Sequence, residues 1–149
     1  MNTLFFYFLL NLNFPFYEEI KAHNCHFCKQ DTDLWQVLFN VKYGNWRETF
    51  KPQFSEKIKK LDKTQIKLKG FLIPLEEKAK KHNFFLLSAY PFDACFYCGK
   101  AGPETVIEVT CKNAVKYTTA IIEISGTLKL NYDDPEHLFY LINDGKEVK

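Results

Sequence analysis

From Thr64 onward apolar and polar residues alternate, the period-2 pattern of strands with one face buried. Ile66, Leu68 and Leu72 alternate with Lys67, Lys69 and Phe71, which predicts a strand over 64–75, interrupted by Gly70 and ended by Pro74. Residues 76–83 read as a charged hairpin or loop, and Phe84 to Ser88 as a short strand buried on both faces. In the next strand, Thr105, Ile107, Val109 and Cys111 share one face, with Glu108 and Thr110 on the other. Residues 120–130 give the clearest alternation, with Gly126 mid-run, and residues 137–143 a last strand after the turn Tyr132-Asp133-Asp134-Pro135-Glu136. Upstream the period changes. Leu34, Val37, Leu38 and Val41 predict a helix over 31–41, with Asp33 as N-cap and Gln36 at the capping-box position. Phe54, Ile58 and Leu61 predict a helical turn over 55–61. About five strands without strand–helix alternation after residue 64 point to a mainly β fold: a small OB-like five-stranded barrel with one or two short N-terminal helices. Gly70 and Gly126 are expected where a small barrel bends its strands.

Before the first helix the pattern is neither strand nor helix. Residues 1–16 are almost unbroken apolar sequence, too short to span a bilayer and interrupted by Asn11, Asn13 and Pro15. They read as a secretory leader, although no lysine or arginine precedes the apolar run and Ile20 sits three back from the cleavage point after Ala22. The other reading is a buried terminal strand. The expected organisation is a signal-like leader over 1–22, a Cys/His-rich tail over 23–34 and a barrel domain over 35–149. With it go an extracytoplasmic location, periplasmic or envelope-associated, and no stable transmembrane insertion.

Composition supports a folded domain: 46% hydrophobic, with fifteen phenylalanines and eight tyrosines. A formal charge of +2 with Arg47 as the single arginine is too weak for a nucleic-acid surface, so no nucleic-acid partner is expected. No catalytic residues are assigned and the protein is not expected to be an enzyme. Ser88, Asp93 and His82 are near in sequence but lack a nucleophile-elbow pattern, and no helix is expected after Gly99-Lys100-Ala101-Gly102 to make a phosphate loop.

Chemistry concentrates in the cysteines. Five are present, as Cys25/Cys28, Cys95/Cys98 and a lone Cys111, for which the expectation is a small buried hydrophobe. Cys95 and Cys98 sit in a stretch from Pro91 to Glu104 punctuated by two glycines and two prolines, so two sulfurs converge in an irregular loop. His23, Cys25, His26 and Cys28 gather four soft or borderline ligands in six residues. Cys95, Cys98, Cys25, Cys28, His23 and His26 are thus the candidate ligands for zinc or copper, since thiolate and imidazole suit Zn(II) and Cu(I). The alternative is a loop stapled by a disulfide, presenting Phe92, Phe96 and Tyr97 to a protein or ligand. A thiol-disulfide oxidoreductase ranks third, because no regular helix is expected to activate the thiols.

The segments Gly70-Phe71-Leu72-Ile73-Pro74-Leu75, Ala94-Cys95-Phe96-Tyr97-Cys98-Gly99-Lys100-Ala101-Gly102-Pro103-Glu104 and Gly126-Thr127-Leu128-Lys129-Leu130-Asn131 together carry a resemblance. From about Trp35 to its end the chain resembles a family of small exported bacterial proteins, common in Bacteroidetes and proteobacteria, known only as a domain of unknown function with a C-F-[FY]-C-G-x-x-G-P-E centre. The resemblance implies a barrel-like fold and an envelope location and carries no activity; the partner expected for such a module is an envelope protein. The Cys25/Cys28 pair and its histidines fall outside it.

Overall fold

The computed structural model describes residues 32–44 and 51–149. The expected leader, and His23, Cys25, His26 and Cys28, lie outside the described residues. The first helix, α1 (Thr32–Leu38), is shorter than the pattern suggests. It already includes Asp33, which is therefore not its cap. The second, α2 (Glu56–Lys59), is a single turn capped by Ser55, whose hydroxyl accepts a hydrogen bond from the Ile58 N–H.

Five strands follow: β1 (Gln65–Pro74), β2 (Lys81–Ser88), β3 (Val106–Lys116), β4 (Ile121–Leu130) and β5 (Tyr140–Val148). They close in the order β1-β2-β3-β5-β4 and back to β1. The β3–β5 pair is parallel and the other four are antiparallel. This is the mainly β, OB-like barrel with two short helices that the alternation predicts.

Inside it, Leu68, Phe85, Leu87, Ile107, Val109, Ile124, Leu128 and Ile142 are wholly excluded from solvent. Burying each such side chain stabilises the fold by about 1.5–3 kcal/mol before entropy is charged. Helix α1 packs against one end of the barrel. Trp35 donates its indole N–H to the Lys69 carbonyl at 2.8 Å, and the buried Tyr140 hydroxyl donates to the Leu38 carbonyl at 2.7 Å. The Leu38 carbonyl, at the helix C-terminus, also accepts from the Val41 N–H at 3.3 Å.

The two interrupting glycines behave differently. Gly126 lies at a register shift between Ser125 and Thr127 against β5, as a bend requires. Around Gly70 the pairing with β4 runs without a register shift. A side chain at Gly70 would meet the Ser88 carbonyl at 2.6 Å, and glycine is needed for the close approach of β1 and β2.

Four strand boundaries depart from expectation, one of them the end of the last strand, which runs on to Val148. β2 starts at Lys81 because Lys81 and His82 pair with Lys116 and Val115 beyond a bulge between His82 and Phe84, which also lengthens β3. β5 starts at Tyr140 because residues 137–139 are committed elsewhere. The buried Asn131 amide donates to the carbonyls of Asp134, His137 and Leu138 at 2.7, 3.1 and 3.0 Å, and its oxygen accepts from the Asp134 N–H. These bonds fold 131–139 into a compact loop instead of a strand.

Burial breaks alternation over Phe85–Ser88 and Val106–Val109. Across the barrel's outside, Ile73, Leu86 and Glu108 are neighbours in register on β1, β2 and β3. Ile73 and Leu86 are covered by Cys95, with Leu138 packed alongside, and Glu108 by the 131–139 loop. The barrel thus carries a second, outer cluster, and the cysteine loop sits on it.

Candidate functional site

The loop joining β2 to β3 is built from three single 3₁₀ turns, Phe92–Ala94, Phe96–Cys98 and Pro103–Thr105. Gly99, at φ 70°, takes the left-handed conformation that ends the second turn. Cys95 stands just before this turn and Cys98 is its last residue. Cys95 is fully buried against Ile73 and Leu86, whereas Cys98 is exposed.

Both thiols donate to one acceptor, the Phe92 carbonyl, at 3.1 Å from Cys95 Sγ and 3.0 Å from Cys98 Sγ. Spacing in the sequence is thereby converted into convergence in space, with one sulfur anchored in the outer cluster and the other facing solvent. Both are free thiols, so the disulfide staple is not formed in this structure. Among the described residues no three His, Cys, Asp or Glu side chains gather in a metal-binding group, so this loop offers two soft donors and a carbonyl oxygen. Two thiolates suit a soft monovalent ion such as Cu(I), whereas Zn(II) takes four ligands in its structural sites.

The aromatic residues expected to form a contact surface divide. Phe92 and Tyr97 are 57% and 60% exposed and line a groove of about 380 Å³ with Ile73, Pro74, Leu75, Glu77, Ala79 and Tyr117. Phe96 is half-buried and meets Tyr97 edge-on, with centroids 6.3 Å apart. Cys111 is remote from this chemistry in character. It is buried in the barrel core, and desolvation, with a smaller effect from Glu147, pushes its thiol up to about 11. Ser88 is buried with its hydroxyl accepting from the Tyr90 N–H, and His82 is buried with Nε2 lacking a hydrogen-bond partner.

Two polar pairs were not legible as pairs, and one of them braces the cysteine loop. Tyr43 donates to Glu104 at 2.5 Å, tying the segment after α1 to the last 3₁₀ turn. Desolvation, followed by the hydrogen bond to Glu104, raises the Tyr43 phenol above its ordinary range. Gly102 makes room for this bond, since a Cβ there would fall onto the Glu104 carboxylate and the Tyr43 hydroxyl. On the other side, the buried Glu108 carboxylate accepts from Leu138 N–H at 2.5 Å and lies 2.8 Å from His137 Nδ1. The hydrogen bond to Glu108 is the main cause raising the His137 pKa. His137 is nearly half exposed, yet it holds a buried acid.

A profile described as "Protein of unknown function (DUF3299)" matches residues 35–139. The chain belongs to the DUF3299 family. The matched span contains the whole cysteine loop, Tyr43, Glu104, Glu108 and His137, whereas His23, Cys25, His26 and Cys28 precede it. The chain is also similar to a DUF3299 family protein of Pseudomonas aeruginosa PAO1 whose crystal structure is known, at 21% identity and a TM-score of 0.48, covering 78% of this chain and 80% of that one. No curated protein matches the chain. Among the described residues no helix is long and apolar enough to cross a membrane.

Proposed function

We propose that this DUF3299 protein is a non-enzymatic binding module of the bacterial envelope whose Cys95/Cys98 loop holds a soft metal ion, with Cu(I) favoured over zinc. The observation that supports this reading is the convergence of two free thiols on the Phe92 carbonyl, one sheltered and one open to solvent. Cys95 and Cys98 would supply the thiolates, and each gives up its proton to solvent as the metal–sulfur bond forms. Zinc becomes competitive only if Cys25 and Cys28, or His23 and His26, complete a set of four ligands. Oxidoreductase chemistry ranks third because the pair sits at a single 3₁₀ turn, with no regular helix to activate either thiol. The apolar leader is what supports the envelope location, and a second reading, an interaction barrel presenting Phe92 and Tyr97, draws on their exposure.

The reading is tested by anaerobic titration of the full chain with Cu(I) against a chromophoric chelator, at several pH values. One ion per chain with an affinity that rises with pH supports it. No competition with the chelator, or binding indifferent to pH, overturns it.

A further inference from the structure

The groove beside the cysteine loop has a chemistry of its own. Three aromatic rings wall it: Phe92 and Tyr97 from the loop, and Tyr117 from just beyond β3. Its apolar lining comes from β1 and the turn after it, where Ile73, Pro74, Leu75 and Ala79 contribute. Among the described residues that line it, Glu77 is the single charged one. Lys78 and Lys80, its neighbours in sequence, are exposed but not part of the lining.

The walls are fixed from behind. The Tyr117 N–H donates to the Lys80 carbonyl at 3.1 Å, and the Ala79 N–H donates to the Glu76 carbonyl at 3.3 Å, which holds the turn carrying Glu77. The Phe92 backbone is held by the two thiols that converge on its carbonyl.

A volume of about 380 Å³ is within the range of small-molecule sites. Aromatic faces carry negative potential, and a carboxylate among them adds to it. Such a lining complements a cation whose charge is spread over an apolar body, and discriminates against anions. We propose that this groove binds a low-molecular-weight organic ammonium, through the faces of Phe92, Tyr97 and Tyr117 and the carboxylate of Glu77. The proposal stands independently of the metal reading.

The test is an NMR titration of the isotope-labelled full chain with benzyltrimethylammonium and, separately, with its neutral isostere in which a carbon replaces the nitrogen. The expected result is saturable shifts of backbone amides in residues 75–80, 92–98 and 117 with the cation. Each of Tyr117→Ala and Glu77→Gln should weaken binding about fivefold, and the neutral isostere about tenfold or more. Both positions are exposed, and an unchanged amide spectrum outside the groove confirms that each variant folds. Equal binding of the neutral isostere, shifts centred elsewhere, or no saturable shifts would overturn the proposal. Running the titration on the wild-type chain with no metal added reads ammonium binding apart from the metal site, and leaves the thiols that hold Phe92 in place.

Discussion

Glu108 shows how a single residue escapes the sequence pattern. In an alternating strand it reads as a solvent-facing acid, yet the 131–139 loop folds over it and supplies two donors, His137 and the Leu138 N–H. The His137 pKa is raised, so the pair contributes fully below the ordinary value of 6.5 and its contribution is lost as pH rises through the raised value. His137 is nearly half exposed, and screening keeps that contribution to about 1 kcal/mol or less. Urea midpoints measured from pH 5.5 to about 9 should therefore show wild type and His137→Gln converging as pH rises. A gap that widens with pH would show that His137 is not held this way. Tyr43 is the companion case. Removing its hydroxyl in Tyr43→Phe should cost about 1–2 kcal/mol, and Gly102→Ala should destabilise through the same bond, so combining them should cost less than the sum in a double-mutant cycle. Additive losses would mean that Gly102 serves some other purpose.

At the level of elements, the strands were legible because the barrel buries alternate residues, and the β1 and β4 patterns placed those strands closely, whereas β3 runs on to Lys116, past Cys111 where its pattern stops. The run from Phe84 to Ser88 reads as doubly buried, which holds from Phe85 on whereas Phe84 is 47% exposed, and the cause was not readable, since nothing local in Leu86 says that Cys95 will cover it. The last strand was misplaced because Asn131 acts over six and seven residues to fold His137 and Leu138 into a loop. Asn131→Ala should cost about 2–3 kcal/mol, because three carbonyls and one N–H lose one buried partner together. It should also speed amide exchange in residues 134–139 more than in β1–β4. Uniform acceleration across the barrel would indicate that the loop is not a separate unit. In the site, convergence of Cys95 and Cys98 could be read from their spacing. Burial of one and exposure of the other could not, because that asymmetry comes from Ile73 and Leu86 on two strands.

For the whole molecule, the barrel positions one irregular loop on its outside, braced by Glu104 toward α1 and bearing Cys95 against the outer cluster. The compartment in which it does so bears on whether the thiols stay reduced. Fusing residues 1–30 to a reporter active only outside the cytoplasm should yield an active reporter, as the apolar leader implies; an inactive one would move the protein to a reducing compartment and strengthen a four-ligand zinc reading with Cys25 and Cys28. The claim on which the functional account rests is that Cys95 and Cys98 act as one metal-holding unit. The most direct measurement is native mass spectrometry of the full chain after anaerobic loading with Cu(I). The account predicts one bound ion in wild type, in Cys111→Ser and in Cys25→Ser/Cys28→Ser, and none in Cys95→Ser, Cys98→Ser or the double variant. A bound ion retained in the Cys95→Ser/Cys98→Ser protein would contradict it.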